Sequence, residues 1–170
     1  VPNHTLETVL YRNFEALGVP THTAEEHAFA DALAKTYPGS DSVPGIGADF
    51  DADVADQVRE LRKKIGGAMN DFLAPLYQGP AFEPGSTDVG DVSWQCPTGQ
   101  IHVAAWPNGC PGHSWQNVSC GKTSIGHKAA LCAGKVLCAA AVDLLEQPEL
   151  LQAAHREHEE RTADGYTCPI

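Results

Sequence analysis

Residues 5–17, TLETVLYRNFEAL, set Leu6, Val9, Leu10, Phe14 and Leu17 three or four positions apart. That interval returns to one face of a helix, so a helix is predicted there, stopped by Gly18 and Pro20. Thr23 with Glu26 three residues on is a capping box, and it predicts a second helix running to about Tyr37. The stretch PGSDSVPGIGADF, 38–50, reads as a turn-rich loop. Asp51 then caps a third predicted helix, 52–65, with Val54, Val58, Leu61 and Ile65 on one face. Apolar residues at 69, 72, 73 and 76 predict a further short helix before Gln78, and 79–93 reads as irregular.

The period changes at GQIHVAA, 99–105, where Ile101, Val103 and Ala105 alternate with Gln100, His102 and Ala104. Alternation of this kind predicts a strand. PNGCPG, 107–112, breaks it, and a long helix follows over 124–145. That helix reads AALCAGKVLCAAAVDLL for most of its length, apolar nearly all round, and is predicted to be buried. Gln147–Pro148 ends it, and 149–161 forms a polar amphipathic tail helix. No internal repeat or low-complexity tract occurs.

Charge and cysteine usage narrow the picture. The net charge of −11 argues against a nucleic-acid surface, which needs clustered Lys and Arg. The longest basic run, RELRKK at 59–64, reads as a solvated helix face. No stretch reaches the ~18 consecutive apolar residues that a membrane span requires, so no membrane role is expected. Val1 heads the sequence, Met69 is the single methionine, and no basic-plus-apolar leader is seen. The translated start is therefore expected to lie elsewhere and the chain to be a piece of a longer one. Cysteines at 96, 110, 120, 132, 138 and 168 include no C-x-x-C pair and match no structural zinc spacing. Free thiols in a reducing, cytoplasmic compartment are the reading. The sequons Asn3–Thr5 and Asn117–Ser119 are read as chance.

The chemistry concentrates in GCPGHSWQNVSCGKTSIGHKAAL, 109–131. His113 follows the predicted strand and its Gly/Pro loop, and ligands of open α/β sheets gather outside the carboxyl ends of strands. That order makes His113 a candidate metal ligand, against the alternative of an ordinary surface histidine. His127 falls near the first turn of the long helix, where a neutral imidazole can bind a metal or donate to an anion. A hydrogen-bonding or packing role at the helix start is a stronger reading of it than metal ligation. The backbone N–H groups there can also hold a carboxylate, with Lys122 close by. His102 reads as structural, and His4, His22, His27, His155 and His158 read as solvated. Asp88 and Asp91 are acid/base or metal-binding groups, or they are turn formers. A metal site takes three or more ligands, and a two-metal hydrolase needs about five. The chain shows one good candidate.

The strings GSTDVGDVSW, PGHSW and GKTSIGHK, in this order within 85–137, resemble an amidohydrolase branch of the aminoacylase and glutamate-carboxypeptidase family of metallopeptidases. VPNHTLETVLYRNFEALGVP and EEHAFADALAKT add to the likeness, which is weakest over 38–80. The resemblance implies an α/β fold: the C-terminal part of a zinc-peptidase-like catalytic domain, a mixed sheet flanked by helices. It implies that 1–170 is one such part, 1–80 mostly helical and 81–170 strand, loop and helix, without the family's lid and dimerisation domain. It implies hydrolysis of the amide bond of N-acyl amino acids such as p-aminobenzoyl-glutamate, or of dipeptides, by an enzyme with two divalent metal ions, Zn or Mn. A homodimer, or a heteromer with a related subunit, is implied for the full-length protein. His113 matches the family's last metal-binding histidine, and Ser86, Asp88, Ser114, Trp115 and His127 match cleft-lining segments. The general base and the other ligands are expected upstream, so this chain alone is expected to be inactive. The rival reading is a non-catalytic fragment or short product that acts as a binding or structural module.

Overall fold

The computed structural model describes residues 1–39, 52–79 and 87–167. Among them run seven helices and no strand: α1 His4–Leu17, α2 Ala24–Ala34, α3 Ala52–Ile65, α4 Val89–Gln95, α5 Trp115–Gly121, α6 Ser124–Glu146 and α7 Pro148–Arg161. The α/β expectation is therefore corrected to an all-helical architecture. Residues 99–105 carry part of the strand pattern, with Gln100 and His102 exposed and Ile101 and Val103 half-buried. A strand, however, is defined by ladder hydrogen bonds to a neighbour. Among the described residues no strand is formed, by 99–105 or by any neighbour.

The chain divides into two compact units. One gathers α1, α4, the later part of α6 from Lys135, and α7. In it α1 packs on α7 and buries Val9, Leu10 and Phe14, the face its apolar spacing predicts. The Asn3 amide, almost fully buried, donates to the carbonyl of Ala154 at 2.9 Å. Glu157 on α7 caps α1 from outside: its carboxylate accepts from the N–H groups of His4 (2.8 Å) and Thr5 (2.9 Å) and from the Thr5 hydroxyl (2.8 Å). The first N–H groups of a helix have no partner of their own, so a carboxylate there is well placed both as acceptor and as negative charge. Gly99 lies so close to α1 that a Cβ would stand 2.7 Å from Leu10 Cδ1, which only glycine avoids.

The other unit gathers α2, α3, α5 and the first part of α6 up to Gly134. Ala30, Ala68, Met69 and Ile125 form its core cluster, with Ala34 and Ala104 against it. The short helix predicted around 69–76 is absent, and 66–79 has no regular structure. Pro75 disfavours helical backbone at Ala74, which leaves too few residues to nucleate a helix. The backbone of Ala68 is engaged elsewhere: its N–H donates to Asp31 Oδ1 at 2.7 Å, and its carbonyl accepts from Asn108 N at 2.8 Å.

Helix α6 corrects a further expectation. One face is buried, through Ile125, Ala129, Val136 and Ala140. The opposite face leaves Leu131 at 67% and Leu145 at 82% exposed, with Val142 half-exposed between them. No helix among the described residues is long and apolar enough to cross a membrane.

Candidate functional site

The sequence PGHSW enters α5 through a turn whose parts each have a local cause. Ser114 is the N-cap of α5, and its hydroxyl oxygen accepts from Asn117 N at 3.2 Å. The same hydroxyl donates to the Pro111 carbonyl at 2.7 Å, closing the turn behind it. His113, inside that turn, has φ +53°, the one non-glycine residue with positive φ among the described residues. Left-handed backbone costs a Cβ-bearing residue on the order of 1–2 kcal/mol. The imidazole is exposed. Trp115 follows as the first residue of α5 and is 61% exposed.

His127 lies in the first turn of α6 in the same unit, its N–H bonded to Thr123 O at 3.2 Å and its side chain exposed. His113, Ser114 and Trp115 are thus consecutive on one turn, and His127 stands at a second helix start. Asp88 is the N-cap residue of α4, in the other unit, exposed and making no side-chain capping bond. Asp91 on the same helix accepts a hydrogen bond from Tyr166, whose ring stacks on Trp94 at 5.0 Å. Ser86 and the Asp51 cap lie outside the described residues.

Among the described residues no three His, Cys, Asp or Glu side chains stand where they could hold a metal ion. No group of described residues is by itself a metal centre, and no catalytic step is derived through one. Cys110 and Cys120 are free thiols raised by burial, Cys120 to about 11, which makes them poor nucleophiles near neutral pH.

A polar hub that the sequence reading missed occupies residues 21–27. His22, expected to be solvated, has a side chain only 1% exposed. Its Nδ1 lies 2.8 Å from Asp71 Oδ1, and the other carboxylate oxygen of Asp71 takes His27 Nε2 at 3.2 Å. His22 Nε2 is buried with no hydrogen-bond partner. Glu26 completes its capping box with Thr23 and also accepts from the Ser124 hydroxyl and from Lys128 Nζ at 2.7 Å. Lys128 and Ser124, with the Thr23 N–H, hold the Glu26 carboxyl down at about 2, against the smaller opposing effect of burial. The capping box was the one local signal of this hub. The partners at 71, 124 and 128 lie too far along the chain for any periodicity to join them.

Sequence similarity relates the chain to a hydrolase subunit. The chain is 37% identical over 174 aligned residues to the B subunit of p-aminobenzoyl-glutamate hydrolase from Escherichia coli (strain K12). That alignment takes in the whole of this chain and 36% of the relative, so the chain spans about a third of the protein it matches. No family model and no solved structure matches the chain.

Proposed function

We propose that this chain forms part of a metal-dependent amidohydrolase that cleaves the amide bond of N-acyl amino acids of the p-aminobenzoyl-glutamate kind. The homology over the full chain carries the reading. It runs through GSTDVGDVSW, PGHSW and GKTSIGHK, the strings on which the family resemblance rests. In this reading His113 supplies one ligand to a metal, and the remaining ligands and the general base come from outside the described residues. Ser114, Trp115 and His127 face the substrate in this reading. The relative is named as one subunit of its enzyme, and a partner subunit for this chain belongs to the same proposal.

The strain at His113 supports the assignment. Residues held in sparsely populated backbone regions cluster at functional sites. The test is release of p-aminobenzoate from p-aminobenzoyl-glutamate by the natural polypeptide that contains this chain. His113→Ala should lower kcat/KM by roughly a hundredfold or more, since a metal supplies several kcal/mol of transition-state stabilisation, and should remove up to one metal ion per subunit. Full activity with full metal content in that variant overturns the role of His113.

A second reading rests on the lack of a three-ligand group among the described residues: the chain is a binding or structural module without catalysis. It is favoured if the natural product has a mass of about 18.1 kDa, that of this chain, and releases no p-aminobenzoate.

A further inference from the structure

A capping box needs one carboxylate oxygen and ends its work within three residues. Glu26 does more. Its Oε2 accepts from the Thr23 N–H at 2.6 Å and from Lys128 Nζ at 2.7 Å, and its Oε1 accepts from the Ser124 hydroxyl. Lys128 spends a second donor on the Thr21 carbonyl at 2.9 Å. Ser124 is the first residue of α6 and Lys128 lies one turn later. Positions i and i+4 share a helix face, so Glu26 grips α6 at two points along a single line. A helix held at two points on one side cannot turn about its axis. His127 lies between those points in sequence, on the flank beside them, and is exposed.

From this geometry we propose that Glu26 is a positioning residue. By fixing Ser124 and Lys128 it sets the rotation of the first turn of α6, and through that the direction in which His127 presents its imidazole. The proposal rests on the reading above, in which His127 faces the substrate. It also assigns Lys128: its ammonium is the counter-ion of Glu26 and the donor to the Thr21 carbonyl.

The experiment is a double-mutant cycle on kcat/KM for p-aminobenzoyl-glutamate, in the natural polypeptide, with Glu26→Gln and His127→Ala singly and together. Glu26→Gln should cost about tenfold to a hundredfold, the scale of a small misplacement of a substrate-facing group. In the His127→Ala background it should cost less than about twofold, because the group it positions is gone. An equal loss in both backgrounds overturns the proposal. If Glu26→Gln does not fold, Lys128→Met breaks the same line of contacts and is read by the same cycle. A readout independent of activity is the imidazole NMR signal of selectively labelled His127. It should shift on Glu26→Gln, and an unchanged signal overturns the positioning role whatever the kinetics. A shifted signal in a polypeptide that never hydrolyses the substrate keeps the clamp and sinks the hydrolase reading.

Discussion

Asp71 shows how one residue can decide the order of a segment. Its carboxylate joins His22 and His27, on either side of the α2 start, to a stretch of chain that has no regular structure. Removing it leaves the buried Nδ1–H of His22 without an acceptor, and a buried unsatisfied donor costs about 1–3 kcal/mol. Asp71→Ala is therefore expected to lower the unfolding free energy by about that amount, measured by urea denaturation. His113 offers a separate test. Glycine at that φ is free of the left-handed penalty, whereas a β-branched residue suffers it in full. His113→Gly should leave stability within about 1 kcal/mol of the natural chain, and His113→Val should cost more than that. Neither residue was legible in its role. HSW announces a candidate ligand but not its left-handed backbone, and THTAEEH looks solvated because the carboxylate that buries His22 comes from position 71.

Helices of eleven residues or more were legible from their periodicity and caps: α1, α2, α3, α6 and α7 lie close to where the sequence places them. Helices α4 and α5 have seven residues each, too few for a periodic signal. Only their openings could have found them, Thr87–Asp88 before α4 and Ser114 three residues before Asn117. The α1–α7 pair carries the pH prediction. Burial pushes the Glu157 carboxyl up, but hydrogen bonds from the N–H groups of Thr5 and His4, the Thr5 hydroxyl and Arg161 outweigh it and hold the group at about 2. A carboxyl lowered from 4.5 to about 2 on folding contributes stability above the higher value. That contribution is lost as pH falls towards the lower one. Glu26 behaves alike, with its carboxyl also held at about 2. Melting temperature should drop across this acid window, and Glu157→Gln should flatten part of the drop. At neutral pH, Glu157→Ala should cost about 0.5–2 kcal/mol, as the loss of a helix cap does.

On the scale of the whole molecule the dominant feature is apolar surface. Leu131, Cys138, Val142 and Leu145 form one stripe along the exposed side of α6, and Trp115 and Val118 lie exposed on α5. Exposed apolar side chains in this number favour association. The isolated 170-residue chain is expected to self-associate in analytical ultracentrifugation, and Leu131, Val142 and Leu145 changed to Ser should reduce it. A monodisperse monomer of the unmodified chain would refute this. The sequence predicts a buried helix, because apolar residues on every side call for cover on every side. It could not show which side the chain would cover itself.

The α1–α7 clasp also sets an order of events during synthesis. Helix α1 belongs to a unit assembled from three separated stretches of chain, while the other unit lies between them in sequence. At ribosomal rates of about 5–20 residues per second, α7 emerges on the order of ten seconds after α1. For that interval Val9, Leu10 and Phe14 have no α7 to cover them, and the α1 N-terminus has no Glu157 to cap it. The intervening unit has every one of its segments available first. Helix α1 is thereby among the last elements of its unit to settle, and until then its apolar face is open to a chaperone that binds apolar helices.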